Sequence, residues 1–121
     1  MAWHNDLGKY GEELASQYLK KHGYRILETN WRYQRAEIDI IAMDGPVLVF
    51  IEVKSRSDNR FNQPEDSISP RKIELIADAA TRYMESINHE WEIRFDIISL
   101  VIKSEEVYGL NHFKDSFFPG W

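Results

Sequence analysis

Glu37, Asp39, Glu52 and Lys54 stand in or beside two runs rich in Ile and Val, 36–42 and 47–54, with Asp44-Gly45 between them. Such runs around such a dipeptide read as an antiparallel hairpin with a tight turn. With Asp44 and Gly45 as the loop residues, Met43 pairs with Pro46, Ile41 with Leu48, Asp39 with Phe50 and Glu37 with Glu52. Opposed residues point to one side of a sheet, and residues two apart stay on that side. Glu37, Asp39, Glu52 and Lys54 are therefore expected to share a face. A loop longer by two residues keeps this arrangement, and a slip of one destroys it.

Like charges directly opposed destabilise a strand pair. Two carboxylates about 5 Å apart repel by up to roughly 3 kcal/mol at an effective dielectric near 20. Divalent cations would remove that penalty, and oxygen-only ligands favour Mg²⁺ or Mn²⁺ over Zn²⁺. Without a cation the group must carry the repulsion or hold a proton, so Glu52→Gln is expected to stabilise the metal-free protein. The bland reading is an open sheet face in water, with Lys54 neutralising Glu52. Against it, Leu48 and Phe50 lie on the charged face while Val47, Val49, Ile51 and Val53 lie on the other. A strand apolar on both sides is central, so charges at its end face a cleft.

The elements that would position these residues follow from periodicity. Leu7, Tyr10, Leu14 and Tyr18 mark a helix over about 6–22, with Asn5 or Asp6 as cap and Gly23 beyond its end. On it, Glu12 falls with Gly8, Ala15 and Leu19, whereas Glu13 falls with Gln17 and Lys20 and faces solvent. Gly8 and Gly11 each weaken a helix by about 1 kcal/mol, which points to a close approach of backbone or ligand. A first strand spans 24–32. Ser69-Pro70 supplies a cap and first-turn proline for a second helix, whose apolar face runs Ile73, Ile76, Ala77, Ala80, Met84 and Ile87. Another strand covers 91–102, and the aromatic stretch 107–121 reads as a short edge strand with a packed tail. The order helix, three strands, helix, strand makes a small α/β sandwich of one domain, 1–121.

Gly8-Lys9-Tyr10-Gly11-Glu12, Asn30-Trp31-Arg32, Glu37-Ile38-Asp39, Phe50-Ile51-Glu52-Val53-Lys54 and Arg94-Phe95-Asp96 resemble, in order, the blocks of the YraN family. Those are bacterial proteins related to Holliday-junction resolvases, within the PD-(D/E)XK nuclease-like superfamily. The resemblance covers nearly the whole chain. It implies a restriction-endonuclease-like sandwich around a central mixed sheet and metal-dependent hydrolysis of phosphodiester bonds in branched or structured DNA. Asp39 and Glu52 would be the main ligands of Mg²⁺ or Mn²⁺, and Glu12 would assist from the helix. Glu37 matches its block without a consistent role. Lys54 would orient the attacking water and stabilise the phosphorane-like transition state. The chemistry is coherent, since phosphodiester hydrolysis needs a metal to activate water and a fixed cation where charge develops.

The sequence has 121 residues, 20 acidic and 15 basic, for a net charge of −5, which argues against a purely electrostatic DNA binder. The basic residues cluster, however, and Arg32, Arg35, Arg56, Arg60 and Lys72 are the candidate nucleic-acid contacts. A chain of one overall sign can present a face of the other. The absence of cysteine excludes disulfide scaffolds, thiolate zinc sites and thiol nucleophiles. No membrane span or signal peptide is expected, so a cytoplasmic setting follows, with dimerisation left open. His4, His22, His89 and His112 lack metal-ligand spacing and read as surface or structural. Asp96 reads as structural, and Phe113, Phe117, Phe118 and Trp121 as packing. A nucleic-acid-binding module on the same scaffold, without turnover, is the first alternative. A glycosidase using the carboxylates as acid and base is the second, although Lys54 and the basic loop fit phosphate better than sugar.

Overall fold

The computed structural model describes residues 6–57 and 68–117. Helix α1 (Leu7–Lys21) leads into strands β1 (Arg25–Tyr33), β2 (Ala36–Asp44) and β3 (Val47–Arg56). Helix α2 (Pro70–Ser86) then carries the chain to β4 (Ile93–Ile102) and β5 (Tyr108–Phe113). The strands form one sheet in the order β1-β2-β3-β4-β5, parallel only between β3 and β4. Parallel neighbours need a crossover, and α2 lies in it. The expected α/β sandwich with a mixed sheet forms, and the edge strand in the aromatic tail is β5. No helix among the described residues is long and apolar enough to cross a membrane.

Alternate residues of the central strands feed two cores. Leu48, Phe50, Phe95 and Ile97 pack with Ile76, Ala79, Ala80 and Tyr83 of α2. Val49, Ile51, Ile98, Leu100 and Ile102 pack with Leu14, Ala15 and Leu19 of α1. Strand β3 is thus buried on both faces, as its continuous apolar run requires. Ser69 caps α2 by accepting the Lys72 backbone N–H at 3.1 Å, with Pro70 following. Ile73 and Met84 pack on the α2-side core as half-buried flanks. Ile87 departs from the expected apolar face: it is the C-cap and 41% exposed. Asp6 stands at the N-cap of α1 without a side-chain capping bond. Phe113 and Phe117 join the α2-side core, whereas Phe118 and Trp121 lie outside the described residues.

The two helix glycines differ. A Cβ on Gly11 would fall 1.7 Å from Ser55 Oγ and 3.0 Å from Ser55 Cβ, whereas one on Gly8 would meet nothing within 4 Å. Gly11 is therefore where α1 closes onto β3. Gly11→Ala is expected to lower stability by about 1–3 kcal/mol through overpacking. Gly8→Ala, on an open helix surface, should raise it by about 0.5–1 kcal/mol. Denaturant melts of the two variants check the contrast, and Ser55→Gly should rescue Gly11→Ala.

Candidate active site at the carboxyl end of strand β3

The β2–β3 hairpin turns one residue later than its sequence suggests. Asp44 pairs with Val47, Met43 with Leu48 and Ile41 with Phe50, leaving Gly45-Pro46 as the loop. Gly45 takes φ +61°, and proline, with negative φ and no N–H, suits the second loop position rather than the ladder. All pairings move by two, so inward and outward faces are kept. The paired ladder ends at Ile40 and Ile51, short of Asp39, so Glu37 does not stand paired against Glu52.

The single charged face does not form, because β2 loses its alternation at Asp39. Ala36 and Ile38 pack on the α2 side, whereas Ile40 and Ala42 pack on the α1 side. The matching irregularity in β1 is Asn30, which lies between the paired residues Thr29 and Trp31 and takes φ +52°. Asn is among the few residues that adopt this conformation readily. Asp39 consequently turns along the sheet, where its Oδ2 accepts the Val53 backbone N–H at 2.8 Å.

The carboxylates converge from both faces. Glu52, on the α2 face of β3, is buried, with a side chain 5% exposed, and lies 3.2 Å from Lys54 Nζ. Lys72, from the first turn of α2, forms a second ion pair with the same Glu52 oxygen. The Asp39 carboxyl is pushed up to about 8 by burial and then by the neighbouring Glu52 charge. The Val53 N–H offsets only part of that rise. From the α1 face, half-buried Glu12 approaches Asn30 and Asp39. Burial raises its pKa, and the charges of Glu37 and Glu52 add to the rise. Glu13 is exposed, as its helix position requires.

The remaining expected residues divide. Glu37 lies on the α1 side and pairs with exposed Arg32, at 3.5 Å from Arg32 Nε. Arg35 is exposed in the β1–β2 turn, and Arg56 ends β3 half-buried. Lys72 belongs to the carboxylate cluster as well as to the basic segment, and Arg60 lies outside the described residues. Among the described residues no three acidic or histidine side chains are grouped to hold a metal ion. The donor chemistry still fits Mg²⁺, which is commonly held by one or two carboxylates together with substrate phosphates and water. Asp39 and Glu52 are such a pair.

A second polar cluster sits farther along the α1 face and carries a structural load. Asp96 is fully buried and accepts from Arg94 Nε at 2.9 Å, His112 Nε2 at 2.7 Å and the Asp115 N–H at 3.0 Å. Arg94 also reaches Asp44 at 3.0 Å and Tyr24 Oη at 2.8 Å. Burial alone would raise the Asp96 pKa, but the bonds from His112, Arg94 and Asp115 hold it below the ordinary value. The structural reading of Asp96 and His112 is thereby realised. Asp96→Ala leaves Arg94 buried without its main counter-ion and should cost about 3–5 kcal/mol, measurable by thermal melting.

The sequence between 11 and 100 matches the model of the "Uncharacterised protein family UPF0102". A UPF0102 protein of Flavobacterium psychrophilum is 50% identical over 118 residues, covering 98% of both chains. One from Christiangramia forsetii is 47% identical over 98% of both, and one from Bacteroides thetaiotaomicron 43% identical over 98% of both. The matched span holds Glu12, Asn30, Asp39, Glu52, Lys54 and Lys72, every residue of the carboxylate cluster. The chain therefore belongs to UPF0102, the bacterial YraN family that its sequence blocks resemble.

Proposed function

We propose that this protein is a metal-dependent phosphodiesterase that cleaves branched or structured DNA in the bacterial cytoplasm. The observation that carries the reading is the buried Glu52 carboxylate, flanked by two lysines, whose charge raises the pKa of the neighbouring half-buried Asp39. Such a pair holds a proton where a divalent cation would otherwise neutralise it. Asp39 and Glu52 would hold Mg²⁺ or Mn²⁺, with Glu12 assisting through Asp39. The cation, when bound, supplies water activation and charge neutralisation at the scissile phosphate. Lys54 stands fixed beside Glu52 and directs its ammonium to the place where negative charge develops. A glycosidase fits less well, because its two carboxyl groups stand about 5 Å or more apart with sugar between them.

Calorimetric titration with Mn²⁺ tests the site without knowledge of the substrate. The wild type should bind and Asp39→Ala should not; equal behaviour of the two would refute the metal site. Nucleic-acid binding is expected to be weak and steeply salt-dependent, through Arg32, Arg35, Arg56, Arg60 and Lys72. With about five phosphate contacts, log K for duplex DNA should fall against log salt with a slope near −4. Anisotropy titrations at several salt concentrations check this, and a flat response would exclude that surface.

A further inference from the structure

Glu52 is the counter-ion of two lysines, and the two are placed differently. Lys54 rises from β3 itself, two residues along, with a side chain 21% exposed. Lys72 comes from the first turn of α2 with a side chain 39% exposed. Its backbone is pinned, since its N–H donates to the Ser69 cap and the α2 face behind it is packed into the core. Only the flexible side chain can move.

The position is unfavourable for a cation. The first turn of a helix carries partial positive charge, and this one holds Arg71 and Lys72 with no acidic residue. Lys72 is retained there by the Glu52 carboxylate across the α2–β3 gap. A carboxylate oxygen occupied by an ammonium group is less available to a metal ion. An ammonium released at a helix N-terminus, beside Arg71, needs another anion nearby, and the phosphate of a nucleic acid is one.

We propose that Lys72 is a tethered counter-ion: it occupies Glu52 in the cation-free protein and transfers to a substrate phosphate when a divalent cation takes that carboxylate. The inference rests on the metal site proposed above and adds its regulation. Lys72 competes with the cation, and its release couples cation binding to nucleic-acid binding. By reciprocity each ligand must then tighten the other. Lys54, whose own strand carries Glu52, stays with the carboxylate and does not take part in the exchange.

Mn²⁺ titration of the wild type, Lys72→Gln, Lys72→Arg and Arg71→Gln separates these roles. Lys72→Gln should bind Mn²⁺ about 5- to 150-fold more tightly than the wild type, the usual span of a coupling between sites. Lys72→Arg keeps the competing charge and Arg71→Gln keeps Lys72, so both should stay near the wild-type affinity. In a Lys54→Met background that blocks turnover, Mn²⁺ should tighten binding of a labelled branched duplex more with Lys72 present than with Lys72→Gln. Equal or weaker Mn²⁺ binding by Lys72→Gln would overturn the exchange while leaving the metal site intact. Absence of Mn²⁺ binding in both the wild type and Lys72→Gln would overturn the metal site itself. An independent check needs no variant to fold: Mg²⁺ added to wild-type protein with ¹⁵N-labelled lysine should shift the Lys72 ammonium resonance, and an unmoved signal would refute its release.

Discussion

Lys54→Met should lower Mn²⁺-supported cleavage of a branched DNA by about 10²–10³-fold, the loss typical of removing one preorganised charge from a transition state. Binding of the same DNA should weaken little and keep its salt slope, because Lys54 is paired with Glu52 and all five candidate phosphate contacts remain. The site should survive the change. Glu52 keeps its ion pair with Lys72, and the Met chain fills the volume of the lysine stem beside the sheet. Single-turnover cleavage and anisotropy on the same substrate separate the two effects. Retention of cleavage within about ten-fold would remove Lys54 from the transition state. A binding module without turnover predicts a different outcome, with no cleavage in the wild type and unchanged binding in Lys54→Met.

The fold was legible where one local rule acted alone. The period of α2, the Ser69-Pro70 start and the doubly apolar β3 each identified an element and its buried face. Where two rules compete, the sequence is ambiguous. Asp44-Gly45 and Gly45-Pro46 are both acceptable turns, and only the ladder, which proline cannot join, selects the second. The shift by two keeps each face, but the break in β2, not the register, is what brings Asp39 toward Glu52.

The turning of Asp39 was not legible. Ile38-Asp39-Ile40-Ile41 gives no sign of where its alternation slips; the slip stands opposite Asn30 of the neighbouring strand, which takes φ +52°. Asn at that place is a signal in hindsight, since it tolerates positive φ and lies near Glu12. Lys72 in the site depends on the docking of α2, a tertiary choice. The partners of the Asp96 cluster lie as far apart in sequence as Tyr24 and Arg94, so no spacing rule could join them.

Asp39→Asn is expected to stabilise the cation-free protein increasingly as the pH rises from about 4 to about 8. In the folded protein Asp39 loses its proton only near pH 8, because it is buried and faces the Glu52 charge; unfolded, it ionises near 3.8. Between those values the folded state holds a proton that the unfolded state has released, so stability falls with pH. The contribution is complete below the unfolded pKa and gone above the folded one. Asparagine keeps an acceptor for the Val53 N–H, can donate to Glu52, and has no charge to lose. The expected gain above pH 8 is on the order of 2 kcal/mol, allowing for the proton being shared between the two carboxyls. The relief anticipated for Glu52→Gln therefore belongs to Asp39: Glu52 is the partner of both Lys54 and Lys72, and neutralising it should destabilise. Urea melts of the wild type and both variants at pH 5 and pH 8.5 provide the measurement, with chelator present. Adding Mn²⁺ should then raise the wild-type melting temperature and leave that of Asp39→Asn unchanged. An Asp39→Asn protein less stable than the wild type at pH 8.5 would show that Asp39 is a satisfied structural carboxylate, not half of a crowded metal-binding pair.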